Sequence, residues 1–231
     1  MKFVTFSGID GAGKSTQISA LESWLCQAGL RVNLFTFWDN VVVMRRFREY
    51  MSHQAFGGDQ GIGSPEKPLQ RRDKNVTGWP VMAMRFCLYF ADAVNTRRMV
   101  RKAATDNADA VIFDRYIYDE LANLPLSRSW ARAFVRLLLW IAPKPDVAYV
   151  IDADPVSAFA RKPEYPLDFV RRNREAYLAL SRLARDITVI EPLSVEAMEL
   201  KVREAFLRKP LGHGTGASEI PSFGVKQIEP N

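Results

Sequence analysis

The stretch Gly8-Ile9-Asp10-Gly11-Ala12-Gly13-Lys14-Ser15-Thr16 constrains this chain more than any other part of it. It fits G-x-x-x-x-G-K-[ST] without a gap. The apolar run Phe3-Val4-Thr5-Phe6 stands directly before it, and Ile18, Leu21, Leu25 and Ala28 follow at helical spacing. A strand, a glycine loop and a helix in that order make a cradle for phosphate. Glycine lets the backbone wrap closely, so that consecutive N–H groups point at phosphate oxygens. The helix adds its positive N-terminal end. In such a cradle Lys14 reaches the β- and γ-phosphates and the Ser15 hydroxyl ligates Mg²⁺. The same string arises by chance in long proteomes, but here the flanking strand and helix meet the context test. A nucleoside triphosphate site is predicted.

Composition narrows the remaining classes. A chain of 231 residues with 48% hydrophobic and 25% charged residues is predicted to form one soluble α/β domain, spanning residues 1–209. No apolar run approaches the ~18 residues of a membrane helix; Phe134 to Ala142 is interrupted by Arg136 and ends at Pro143. The chain enters a strand at once, which predicts no secretory signal and a cytoplasmic location. Cys26 and Cys87 fall within predicted helices among apolar neighbours, with no metal or disulfide spacing. With His53 and His213 the only histidines, any chemistry falls to carboxylates, Arg, Lys and Mg²⁺. The net charge of +6 is spread along the chain rather than gathered in a stripe. It suits a polyanionic small substrate as well as it suits nucleic acid, and no nucleic-acid partner is expected.

Strands are predicted at Phe3–Phe6, Val32–Phe37, Ala110–Phe113, Val147–Ile151 and Ile187–Ile190. Between and after them lie helical stretches at Gln17–Ala28, Val81–Thr105, Ser129–Ile141, Leu167–Arg185 and Val195–Arg208. This alternation implies a parallel sheet covered by helices on both faces. Residues 52–79 form a long segment with Gly57-Gly58, Gly61, Gly63 and the basic residues Lys67, Arg71, Arg72 and Lys74. A loop of that length is functional or disordered. Residues 210–231, rich in Gly, Pro and Ser, read as a flexible tail.

In such a sheet, ligands sit beyond the carboxyl ends of the strands. The third strand ends in Asp114-Arg115-Tyr116, where Asp114 is placed as a Walker-B-type acid for Mg²⁺ opposite Ser15, or as a turn cap. Arg115 offers a planar guanidinium to brace a phosphate. The fourth strand ends in Asp152-Ala153-Asp154-Pro155. That pair reads as a metal pair or, preferred here, as a helix N-cap with Pro in the first turn. Beyond it, Arg161-Lys162-Pro163-Glu164-Tyr165-Pro166 lies inside a short basic turn at residues 158–168. This turn suits either a mobile lid over a triphosphate or a solvated basic face.

Together these pieces resemble the thymidylate kinase family of P-loop nucleoside monophosphate kinases, from Lys2 to about Arg208. Phe6 to Gln17 is similar to that family's phosphate loop, and Asp114-Arg115-Tyr116 to its Asp-Arg-Tyr motif. Leu88-Tyr89-Phe90-Ala91-Asp92, the run Tyr149 to Pro155 with Pro145-Asp146 before it, and Phe169, Arg172, Arg174 and Tyr177 are similar again. Val189 to Ser194, including Pro192, resembles the loop bordering the adenine. The resemblance implies a P-loop three-layer sandwich with a five-stranded parallel sheet, MgATP as donor, a nucleotide acceptor and a homodimer. It further implies that Asp10 contacts the acceptor sugar, that Arg115 bridges the two phosphates, and that Tyr89 stacks on the base with Tyr116 nearby. Gly11 stands where some members carry an Arg. Members without that Arg use one from the lid, and Arg161 is the matching residue.

The acceptor side departs from the pattern. Phe37-Trp38-Asp39 replaces an Arg-Glu-Pro-type turn, and Ala93 stands where an Arg reads thymine. A lost charged hydrogen bond removes discrimination of about 1–3 kcal/mol. The leading expectation is therefore phosphoryl transfer from ATP to a nucleoside monophosphate, dTMP by resemblance. A different nucleotide, nucleoside or metabolite as acceptor is the alternative. A nucleotide-dependent switch fits less well, since no guanine-reading Asn-Lys-x-Asp stretch is present.

Overall fold

The computed structural model describes residues 1–43, 79–184 and 186–208. Residues 52–78 of the expected 52–79 loop and the tail at 210–231 lie outside them, while Trp79 begins a helix instead. Among the described residues the chain runs β1 (Lys2–Ser7), α1 (Lys14–Gln27), β2 (Val32–Thr36), a wide π-type turn (Phe37–Val41) and α2 (Trp79–Thr105). It continues through β3 (Ala110–Asp114), α3 (Ile117–Leu121), α4 (Ser129–Ile141), β4 (Val147–Ile151) and α5 (Pro155–Arg161). It ends with α6 (Leu167–Leu183), β5 (Ile187–Ile190) and α7 (Val195–Leu207). The strands form one parallel sheet of order β2-β3-β1-β4-β5.

Burial explains that order. Every residue of β1 and β4 is buried, as strands covered on both faces must be, whereas β2 and β5 are partly exposed and take the edges. Helices α1 and α7 pack together, α2 packs on α3 and α4, and α3 packs on α6. Lys2 reaches from β1 to donate its ammonium to the Phe206 carbonyl in the last turn of α7, lying 3.9 Å from the Phe206 ring centre. A cation at a helix C-terminus is favourably placed. Tyr149 of β4 donates to the Val202 carbonyl at 2.6 Å, fastening the same helix to the sheet.

The expected strands and helices are present with boundaries moved by a few residues. The second strand stops one residue early: the Thr36 amide donates to Asn40 Oδ1 at 2.8 Å, which turns the chain and buries Phe37. The Asp154 cap is real, accepting from the Ser157 amide at 2.8 Å and starting α5 at Pro155. Helix α3 is too short to have a readable periodicity. Cys26 and Cys87 are both exposed, so their apolar sequence neighbours belong to other sides of α1 and α2. No described helix is long and apolar enough to cross a membrane.

Candidate active site

Because all strands are parallel, the loops after β1, β2, β3, β4 and β5 emerge along one edge of the sheet. The phosphate loop lies at its centre, with β3 on one side of β1 and β4 on the other. Gly8 and Gly11 are there for reasons of space. Both have positive φ, 137° and 80°. A Cβ on Gly8 would overlap the Ile151 carbonyl of β4, and one on Gly11 the Ala158 carbonyl of α5. The latter contact leaves no room for a side chain, an arginine included, at position 11. The loop is roofed by the backbone of α5.

Helix α1 begins at Lys14 behind Gly13, with no side chain capping it and no acid in its first turn. Uncapped amides and the positive helix end suit a phosphate. Lys14 folds back over the loop, donating to the Gly8 and Ile9 carbonyls at 2.9 Å each. Burial, then the nearby Arg115 charge, pulls its ammonium down to about 8. Ser15 and Thr16 are exposed beside it, and Ile9 and Ala12 are buried. Asp114 ends β3 half-buried, close enough for its charge to act on both Lys14 and Arg115. Ser15 and this single acid fit Mg²⁺, which keeps waters and phosphate oxygens as its other ligands. Among the described residues no group of three or more His, Cys, Asp or Glu gathers as a metal cage.

Arg115 adopts φ 68°, unusual for a residue with a Cβ, while its amide donates to the Phe6 carbonyl at 2.8 Å. Its guanidinium lies between two carboxylates, pairing through Nη2 with Asp10 and through Nη1 with Asp119 at 3.0 Å. Burial opposes its charge, but Asp119 and Asp10 outweigh that and hold it above the usual arginine value. Asp10 is the mirror case. Burial raises its carboxyl, yet Arg115, Lys14 and Lys162 together keep it below the usual carboxylate range.

Of the expected lid cations, Arg161 turns away: its Nε donates to the carbonyl of Ser157, one turn earlier in α5, at 3.2 Å. The adjacent Lys162 instead lies 3.9 Å from Asp10 and 3.3 Å from Glu164. Behind them Arg174 of α6 grips Asp152 with two bonds of 2.6 and 2.7 Å, so Asp152 is committed to an ion pair.

Among the residues expected to face the acceptor, Trp38 is half-buried and packs edge-on against Phe37. Tyr89 is 8% exposed, and Ala93 is fully enclosed. Tyr116 is enclosed too, its hydroxyl donating to the Pro143 carbonyl at 2.5 Å, so it supports the site from inside rather than facing it. The Asp92 carboxylate receives the Val43 amide at 2.7 Å, and Asn95 donates to the Val41 carbonyl at 2.7 Å. Helix α2 thereby pins the turn that follows β2. Pro192 is exposed beyond β5, where Gln17 of α1 donates to the Val195 carbonyl at 3.2 Å.

Asp119 went unnoticed in the sequence. It could have been found, because it stands four residues after Arg115 and at the third position of α3, a capping-box site.

A scan against protein-family models finds none that matches the chain. Individual proteins do. A probable thymidylate kinase of Thermococcus gammatolerans is 27% identical over 202 residues, covering 81% of this chain and 86% of that protein. The crystal structure of thymidylate kinase from Ehrlichia chaffeensis superposes with a TM-score of 0.56 at 17% identity, over 89% of this chain and 98% of that one, which shows the shared fold. A thymidylate kinase of Leifsonia xyli is 30% identical over 217 residues, covering 87% of this chain and 93% of its own length. With that extent of identity joined to a phosphate loop and an Asp-Arg-Tyr turn on one sheet edge, the chain belongs to the thymidylate kinase family.

Proposed function

We propose that the protein moves the γ-phosphoryl group of ATP onto a nucleoside monophosphate, with dTMP as the first candidate because the relatives are named for that reaction. An acceptor phosphate oxygen forms the new bond to the γ-phosphorus as the bond to the β,γ-bridging oxygen breaks, and ADP leaves with that electron pair. The observation that carries this reading is Arg115, held between Asp10 of the phosphate loop and Asp119. A cation fixed at the rim of a triphosphate loop can span two phosphates as charge shifts between them.

Lys14 would exchange its two carbonyl partners for β- and γ-phosphate oxygens. Ser15 and Asp114 would hold Mg²⁺, which supplies charge neutralisation across the phosphates. The loop amides from Gly8 to Thr16 would bind the donor phosphates and Pro192 would border the adenine, while Asp10, Trp38 and Tyr89 face the acceptor. No protein nucleophile is required. The cytoplasm is the proposed location.

A different acceptor base is the second reading, favoured by Ala93 being enclosed where a thymine-reading Arg is expected. An acceptor screen with dTMP, dUMP, dCMP, dGMP and nucleosides, scored by ADP release, separates them. Strong ADP formation with dTMP alone supports the first reading. Turnover with a nucleoside and none with any monophosphate overturns it.

We also propose a homodimer built on α4. Trp130, Leu137 and Trp140 line its outer face, all exposed, beside exposed Phe90 of α2. Phe86 stacks on Phe134 with ring centres 3.8 Å apart and lies 5.8 Å from Trp130, so the two helices present one continuous apolar surface.

A further inference from the structure

Asp119 is nearly sealed from solvent, and four groups donate to its carboxylate. Oδ2 accepts from the Ser7 hydroxyl at 2.6 Å and the Tyr116 amide at 3.2 Å. Oδ1 accepts from the Tyr177 hydroxyl at 2.6 Å and from Arg115 Nη1 at 3.0 Å. These donors come from the end of β1, the start of α3, the middle of α6 and the turn after β3. A helix cap needs only one of them. The remainder converge on the residue that fixes the guanidinium.

The two carboxylates on Arg115 differ in access. The Asp119 side chain is 2% exposed, whereas that of Asp10 is 17% exposed and sits in the phosphate loop. An arriving phosphate can therefore compete for Nη2 at Asp10, but not for Nη1 at Asp119. We propose that Asp119 is the positioning residue of the phosphate clamp. It holds one edge of the Arg115 guanidinium in place while the other edge passes from Asp10 to substrate phosphate. The catalytic part of this inference rests on the phosphotransferase reading given above; the geometric part does not.

Tyr177 extends the arrangement. It lies on α6, the helix that follows the turn bearing Lys162, and its hydroxyl shares Oδ1 with Arg115. Buried beside Asp119, that hydroxyl ionises only well above its usual value and stays a donor at working pH. Movement of α6 would therefore be felt directly at the guanidinium.

The test compares the full chain with Asp119→Asn and Tyr177→Phe. An asparagine keeps the shape but offers one acceptor oxygen, and its amide nitrogen cannot receive the Tyr116 or Arg115 protons, so at least one bond is lost. Two readouts are taken. Steady-state kinetics with MgATP and the best acceptor should show kcat lower by roughly 100-fold in Asp119→Asn and about 5-fold in Tyr177→Phe, with KM for ATP within about twofold. Arginine side-chain ¹⁵N NMR, assigned with Arg115→Lys, should show separate Nη1 and Nη2 signals for Arg115 in the wild type that merge in Asp119→Asn. The NMR arm stands even if no acceptor is turned over, so it fails independently of the proposed reaction. If Asp119→Asn does not fold, Tyr177→Phe carries both readouts. Unchanged kcat together with unchanged Arg115 signals in the folded variants overturns the proposal. A fall in kcat with unaltered Arg115 signals overturns it as well.

Discussion

The Lys162 ammonium lies 3.9 Å from the Asp10 carboxylate, while its neighbour Arg161 turns back along α5 to the Ser157 carbonyl. One peptide unit at the end of the helix separates a side chain aimed at the phosphate loop from one aimed at solvent. Lys162→Ala should lower kcat/KM at least about 10-fold, and Arg161→Ala less than about 3-fold, as expected for a cation near developing charge against one outside it. Steady-state kinetics on the two variants decide the matter. A larger loss in Arg161→Ala would return the lid role to that residue.

Lys14 gives the phosphate loop a pH dependence whose sign can be worked out. The folded value is about 8 against 10.5 for the free side chain. Above pH 8 the unliganded loop loses its cation, so triphosphate binding must restore a proton. Affinity should fall as pH rises from 8 to 9.5, with proton uptake in calorimetry repeated in buffers of different ionisation heat. Folding stability moves the other way. Between the two values the unfolded chain holds more protons, so this group makes the unliganded fold more stable as pH rises. Affinity that stays flat to pH 9.5 would contradict the lowered value.

What could be read in the sequence was local, and what could not be read came from distant segments meeting. The phosphate loop, the Asp154 cap and the alternation of strands and helices each lie within a few residues of one another. Asp119 takes meaning only when Ser7, Arg115 and Tyr177 converge on it, and residues 7 and 177 belong to opposite ends of the chain. Which of Arg161 and Lys162 points toward Asp10 is likewise illegible, because it depends on the angle at which α5 ends. The Asp152-Ala153-Asp154 pair reads as a cap or, less favoured, a metal pair, and neither reading shows that Arg174, 22 residues later, is the partner of Asp152. Tyr116 belongs to a motif and Ala93 departs from one, but neither fact says which way a side chain faces the core.

Gly11→Ala tests the roof over the loop. Alanine there must adopt φ 80° and push its Cβ into the Ala158 carbonyl, which is backbone and cannot swing aside. The expected loss is roughly 3 kcal/mol of folding stability, from conformational strain plus displacement of α5. Gly13 is the control: it has φ 91° but open space around its Cβ position. Gly13→Ala should therefore cost only about 1 kcal/mol of left-handed strain. Urea unfolding of both variants measures the difference, and equal losses would mean that α5 does not roof the loop in solution.

Trp140 offers the sharpest test of the proposed dimer. It is 80% exposed on α4, in line with Trp130 and Leu137, while Ala131, Val135 and Leu138 anchor the opposite side of the same helix in the core. A surface tryptophan contributes to folding little that glutamate would remove, but in a self-complementary interface it would bury an area of order 150–250 Å². Trp140→Glu places a charge in that interface on both subunits at once, and two like charges facing each other across an apolar patch oppose association. Sedimentation velocity at micromolar protein should show a dimer for the wild type and a monomer for Trp140→Glu. Circular dichroism and thermal unfolding of the monomeric variant should still report an intact domain. A wild type that sediments as a monomer, or a Trp140→Glu variant that remains dimeric, would remove α4 from the interface.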